Sequence, residues 1–347
     1  MPVPCPVRIL LADDSAVVRW SMRRLLEAEP DFVVVGAVEN GLRAVEETQR
    51  MRPDVLILDI EMPLMGGLEA MGRLAAARTG TAVIISSALT RRNAEISIRA
   101  LELGASDCVA KPGAMGGDSD PDAYAQELKA KIRDLVSRRR AGEPRSADIE
   151  ARRWPPVGTL RPEVVAIGSS TGGPQALLRL LPEIAVVPVP ILVTQHMPPM
   201  FTAVLADHIA RACKMPCGEA RNQAEVTPGI HVAPGGHHML VVAENGHTRF
   251  AITQDPPENY CRPAVDPMLR SVAGIYGART LAVILTGMGS DGLQGCRQVA
   301  AAGGTVIAQD EASSVVWGMP RAVAAAGLCS AVLPLPRLGA AVRALFV

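Results

Sequence analysis

Aromatic side chains are scarce, at 3% of the 347 residues. That scarcity argues against a surface that stacks bases, because such platforms need several exposed rings. Charge of one sign is also missing: 35 Lys and Arg stand against 35 Asp and Glu. A nucleic-acid-binding protein normally carries a basic excess, so none is expected as partner. No apolar run is long enough to cross a bilayer, and the start, MPVPCPVRIL, lacks the charged-then-apolar order of a secretion signal. The expectation is a cytoplasmic chain without membrane insertion. The seven cysteines are odd in number and scattered, which fits reduced thiols better than a disulfide framework. Cys213 and Cys217 lie close together, but no second pair completes a zinc site.

What remains is an ordinary globular composition, 48% hydrophobic and 20% charged. The length exceeds what one hydrophobic core usually serves, so two domains are expected. In the first third, short apolar runs (Val7–Leu11, Phe32–Val38, Val55–Leu58, Ala82–Ile85, Cys108–Ala110) alternate with helix-spaced stretches such as Leu68, Met71 and Leu74. Five strands alternating with five helices predict a doubly wound (βα)5 domain over residues 1–140. Residues 141–162, with three prolines near their end and no apolar period, read as a linker. Strand-like and helical runs then resume, so 163–347 is a second α/β domain with a mostly parallel, doubly wound sheet and a hairpin near Gly246.

In doubly wound sheets function gathers where strands end. In the first domain those ends carry Asp13-Asp14, Asp59, Ser86-Ser87 and Lys111-Pro112. Three carboxylates in one crevice repel one another unless a cation neutralises them, and an all-oxygen set suits Mg²⁺. A lysine and a hydroxyl nearby would hold the other oxygens of a phosphoryl group, so transfer of phosphate to a carboxylate is the implied chemistry. Any one of these residues alone would read as a helix cap; four strand ends agreeing read otherwise. LLADDSAVVR, VLILDIEMPLMGGLE, VIISSAL and VAKP resemble the signatures of the response-regulator receiver domain. The resemblance implies Asp59 as phosphoacceptor. It implies Asp14, Asp59 and the backbone carbonyl of Glu61 as Mg²⁺ ligands, with Asp13 acting through water, and Ser86 and Lys111 as the residues that signal phosphorylation. Cys108 stands where many receivers carry an aromatic switch residue.

The second domain opens with a strand followed by Gly168-Ser169-Ser170-Thr171-Gly172-Gly173. A phosphate-binding loop would need a Gly-Lys-Ser/Thr end and a dinucleotide fingerprint a different glycine spacing; neither is present. G-x-S-x-G fits from Gly168 through Ser170 to Gly172, exposing a serine on a tight turn near backbone N–H groups. A serine hydroxyl needs a base. His196 directly follows the strand Ile191–Thr194 and is preferred, with His231, His237 and His238 of HVAPGGHHM as competitors. Asp291 ends another strand in GMGSDG; it suits the carboxylate that orients an imidazole, or equally a helix N-cap.

AIGSSTGGPQAL, TQHMPPMF, VAPGGHHM, VILTGMGSDG and ASSVVWGMP resemble the catalytic domain of the chemotaxis protein-glutamate methylesterase/glutaminases, the CheB family, in which a receiver precedes that domain. The resemblance implies Ser170 as nucleophile, His196 as base, Asp291 as its orienter and the Met288 backbone N–H at the oxyanion, with no cofactor at this site. It implies phosphorylation-regulated hydrolysis of glutamate methyl esters, and deamidation of glutamines, on methyl-accepting chemotaxis receptors, with a histidine kinase as phosphodonor. The alternatives are a response regulator whose output domain binds a partner or nucleic acid, and an esterase acting on some non-chemotactic protein.

Overall fold

The structure, a computed structural model, describes residues 5–111, 121–140 and 160–346. Most of the expected linker, 141–159, lies outside the described residues. The chain divides into two compact units, Met1–Gly142 and Glu143–Val347.

The first unit has five parallel strands, β1 (Val7–Ala12), β2 (Phe32–Val38), β3 (Val55–Asp59), β4 (Ala82–Ser87) and β5 (Asp107–Ala110), in the order β2-β1-β3-β4-β5. Helices α1 (Ala16–Glu27), α2 (Gly41–Met51), α3 (Gly67–Ala77), α4 (Arg91–Glu102) and α5 (Pro121–Arg140) alternate with them. Every residue of β3 and β4 is buried, as strands covered on both faces require. Leu56, Ile57 and Leu58 are essentially inaccessible, each contributing about 1.5–3 kcal/mol by burial. Three helices begin on side-chain caps: Ser15, Asn40 and Thr90 accept from the backbone N–H three residues on. The strand order reverses between β1 and β3, so the crevice of this sheet opens where Asp13, Asp14 and Asp59 stand.

The second unit carries a seven-stranded parallel sheet ordered β14-β13-β12-β6-β7-β9-β8. Its strands are β6 (Val164–Ser169), β7 (Pro190–Gln195), β8 (Cys217–Glu219), β9 (Gly229–Val232), β12 (Thr280–Ile284), β13 (Thr305–Gln309) and β14 (Ala331–Leu333). A separate antiparallel hairpin pairs β10 (His238–Glu244) with β11 (His247–Thr253) across Asn245-Gly246. Both turn residues have positive φ, 51° and 81°, the backbone a two-residue hairpin loop demands. The helices are α6 (Gly173–Ile184), α7 (Phe201–Cys213), α8 (Val265–Tyr276), α9 (Leu293–Ala301), α10 (Met319–Ala325) and α11 (Leu335–Ala344). The two edge strands, β8 and β14, escaped the sequence reading. Each has three residues, all half-buried, and so shows neither an apolar run nor a period.

Candidate functional site

In the first unit, β3 and β4 pair so that Asp59 lies beside Ser86. Asp13 and Asp14 follow β1, the neighbour of β3 on the other side. One carboxylate oxygen from each of Asp13, Asp14 and Asp59 lies within 4.8 Å of the others. Lys111, directly after β5, places Nζ 2.7 Å from Asp13 Oδ2 and 2.8 Å from Asp59 Oδ2. Burial raises the pKa of Asp59, and the Lys111 hydrogen bond only partly offsets it. For Lys111, burial opposes the charge, but the hydrogen bonds to Asp13 and Asp59 outweigh it and raise the pKa. An ammonium thus balances two buried carboxylates. The same oxygens, with Asp14 exposed at the rim, fit a hard divalent cation that keeps an open side. Ser86 is buried beside Asp59 on the neighbouring strand, with the Tyr124 hydroxyl close enough to interact with its side chain. Glu61 is exposed on the loop after β3. Cys108 is buried on β5, its thiol pushed far up by burial.

In the second unit, β12, β6 and β7 are neighbours at the centre of the sheet. Their carboxyl ends lead into the loop holding Asp291, into Ser170 and into His196. Two glycines make the serine turn possible. Gly172 has φ +76°, and a Cβ there would also strike Val315. A Cβ at Gly168 would sit 2.5 Å from Val265 Cγ1, so that glycine lets α8 press against β6. The turn is fixed by Ser170 N–H donating to Thr286 O (3.0 Å) and Gly173 N–H to Ser170 O (2.7 Å). Gln195 Nε2 donates to Ser170 O (3.0 Å) and His196 O (3.1 Å), while its Oε1 accepts from Ser169 Oγ (2.7 Å). Ser169 thereby faces inward to Gln195, which leaves Ser170 as the serine of this turn whose hydroxyl is not taken up by that bond.

His196 and Asp291 meet directly, with Nε2 2.7 Å from Oδ2. Asp291 is 2% exposed and also accepts from Asn259 Nδ2 and from the backbone N–H of Val265, Asp266 and Gly292. Val265 and Asp266 form the first turn of α8, so Asp291 caps a helix 26 residues earlier in the chain. Asp266 reciprocates: its Oδ1 accepts from Gly295 N–H in the first turn of α9 (2.7 Å). The crossed caps lock the two helices and hold Asp291 still. Burial alone would raise the pKa of Asp291; the hydrogen bond and charge of His196, with the helix N–H groups, hold it below the usual carboxylate range. Asp266, with burial as main cause and Asp291 as a like charge, is raised. Burial alone would lower the pKa of His196; Cys261 and Asp291 outweigh it and push it up to about 10.

The other ring nitrogen of His196, Nδ1, lies 3.3 Å from Cys261 Sγ. Among the described residues no hydrogen bond joins Ser170 Oγ to His196. The Met288 N–H is likewise unbonded, on a loop held against Ser170: a Cβ at Gly287 would come within 2.8 Å of Ser170 Cβ. Gly318 and Met319 N–H both donate to Gly287 O and fix that loop. The competing histidines are engaged elsewhere. His231 Nε2 faces Thr227 O, His237 bridges Gly235 O and Gln254, and His238 lies between Pro256 O and Ala264 N–H. Asn259, Cys261 and Gln195 were not singled out by the sequence. Asn259 and Cys261 sit in a loop before a helix, not at a strand end, and carried no signal there.

The family model of the CheB methylesterase matches residues 165–342, and that of the response regulator receiver domain matches residues 9–116. A protein of Azospirillum brasilense named protein-glutamate methylesterase/protein-glutamine glutaminase is 48% identical, covering 97% of this chain and 92% of its own length. One of Rhodopseudomonas palustris strain BisB5 with the same name is 46% identical over 98% and 94%. The crystal structure of the Thermotoga maritima CheB methylesterase catalytic domain is similar with a TM-score of 0.52 and 42% identity, covering 54% of this chain and all of that one. Among the described residues no helix is long and apolar enough to cross a membrane.

Proposed function

The chain belongs to the CheB methylesterase family, and from that premise we propose that it hydrolyses glutamate γ-methyl esters, and deamidates glutamines, on chemotaxis receptors in the cytoplasm, under control of phosphorylation at Asp59 by a histidine kinase. The observation that carries the reading is the buried Asp291–His196 pair at the strand ends beside the Ser170 turn. In the neutral imidazole, the form that prevails above its raised pKa, Asp291 holds Nε2–H and Nδ1 is the nitrogen with a free electron pair. Ser170 Oγ attacks the ester carbonyl carbon while His196 takes its proton. The carbonyl oxygen gains charge, and the unbonded Met288 N–H is the donor for it. His196 returns the proton to the leaving oxygen, which departs as methanol, or in deamidation to the leaving nitrogen, which departs as ammonia, and water then releases the acyl group by the same route. Because Nδ1 faces Cys261 in this structure, the thiol must give way before that nitrogen can serve the serine.

At the acidic cluster, Asp14, Asp59 and the Glu61 carbonyl would hold Mg²⁺ directly and Asp13 through water. The ion would neutralise charge on a phosphoryl group in transit. Asp59 supplies the accepting oxygen, and Lys111 and Ser86 lie where they can contact the remaining ones. The test is methanol release from a glutamate-methylated receptor fragment, with and without acetyl phosphate and Mg²⁺. Release should rise with the phosphodonor and vanish in Ser170→Ala. No release under either condition would overturn the receptor substrate.

A further inference from the structure

Cys261 Sγ lies against an imidazole nitrogen, and that imidazole is backed by a buried carboxylate. Cys261, His196 and Asp291 therefore line up as thiol, base and orienting acid, the arrangement that converts a thiol into a nucleophile. The placement is enforced. Cys261 closes a tight turn in which Glu258 and Cys261 exchange backbone hydrogen bonds of 3.1 and 2.8 Å. Asn259 and Tyr260, inside the turn, both have positive φ (52° and 62°). Arg270 of α8 pairs with Glu258 through both of its terminal nitrogens, and Asn259 Nδ2 bonds both Asp291 and Asp266. The turn that presents the thiol is thus tied to the acid that orients the histidine. Cys261 is half-buried and follows Tyr260, which is 98% exposed, so the turn that carries the thiol lies at the surface.

The other cysteines differ. Cys108, Cys296 and Cys329 are buried. Burial pushes the Cys213 thiol up to about 11 and the Cys217 thiol up to about 12. Cys5 is exposed and serves as the internal reference.

We propose that Cys261 is a covalent modification site for soft electrophiles and peroxides, activated by the His196–Asp291 pair, and that its modification silences Ser170. With an alkyl halide, the thiol proton passes to His196 Nδ1, the Sγ–C bond forms, and the halide leaves with the bonding electrons. With hydrogen peroxide, the Sγ–O bond forms as the O–O bond breaks. Sulfur is oxidised by two electrons to the sulfenic acid, and the departing hydroxide takes the proton to become water. Silencing follows because Asp291 already occupies Nε2. A group attached to Sγ fills the approach to Nδ1, the nitrogen left for a serine.

The silencing half rests on the esterase reading above; the labelling half does not. Reduced full-length protein is treated with iodoacetamide at pH 7, and the labelling rate of each cysteine is followed by peptide mass spectrometry. Cys261 should label at least about tenfold faster than Cys5, and at least about tenfold more slowly in His196→Gln. Hydrogen peroxide should block that labelling and dithiothreitol restore it. Cys261 labelling no faster than Cys5 in the wild type overturns activation, whether or not His196→Gln folds. Ester hydrolysis should fall in proportion to the fraction of Cys261 labelled; full hydrolysis at complete labelling overturns silencing. A protein that hydrolyses no receptor ester before treatment fails the esterase reading, and the labelling rates are unaffected by that failure.

Discussion

Replacing Asp291 by asparagine separates its two duties. The carboxylate accepts at Oδ1 from Asn259, Asp266 N–H and Gly292 N–H, and at Oδ2 from His196 and Val265 N–H. An amide does best with its oxygen at the Oδ1 position, which keeps three of the donors. Its NH₂ then points at Val265 N–H, donor against donor, where 2.6 Å separated donor from acceptor. One helix-terminal N–H left unsatisfied costs about 1–3 kcal/mol, and the lost anion at the α8 N-terminus about 0.3–1 kcal/mol more. Relief of the buried charge offsets part of this. The fold should survive, since domains hold about 5–15 kcal/mol in reserve. The catalytic loss is larger. The amide donates to Nε2, so the ring must carry its proton on Nδ1 and the base is gone. By analogy with measured triads, kcat should fall about ten-thousand-fold, or about 5 kcal/mol of barrier. The assay is methanol release beside a urea unfolding curve. Asp266→Asn is the control: it keeps a cap for Gly295 N–H but does not touch His196. Its kcat should stay within about tenfold of the wild type while Asp291→Asn collapses. Equal kcat losses in the two variants would refute the reasoning, because helix capping alone would then explain both.

The pKa of His196, raised to about 10, places the basic form late in a titration. kcat/KM should therefore climb well above pH 6.5, and in Cys261→Ala the limb should move to lower pH; background-corrected pH profiles decide it. Asp266 is raised in the folded state, so what it adds to stability is present below the unfolded carboxyl pKa and lost as pH rises through the folded value. Asp266→Asn should accordingly lose less stability, relative to the wild type, at pH 7 than at pH 4, as read by urea midpoints. Asp59→Asn should abolish the response of ester hydrolysis to acetyl phosphate; a full response would place the accepting carboxylate elsewhere. Gly172→Ala should destabilise by about 1–2 kcal/mol from the left-handed backbone alone, with the Val315 contact adding to it, measured by the shift in Tm.

The sequence by itself determined the layered architecture. Alternating apolar runs and helix-spaced stretches leave few ways to bury both faces of a parallel sheet. It also determined the strand-end residues, because Asp59, Lys111, Ser170 and His196 each directly follow or close an apolar strand that is visible as a run. Asp291 was legible as a residue but not as a cap for α8, since that bond joins two helices whose packing no local pattern encodes. In the sequence, His196 stands apart from the HVAPGGHHM histidines only by its place after a strand, and the structure adds where each competing ring is already bonded. Cys261 and Asn259 were decided by tertiary structure alone. They sit in a turn that sequence marks only as a loop, and they reach His196 and Asp291 because α8 and α9 pack together and carry that turn to the end of the central sheet.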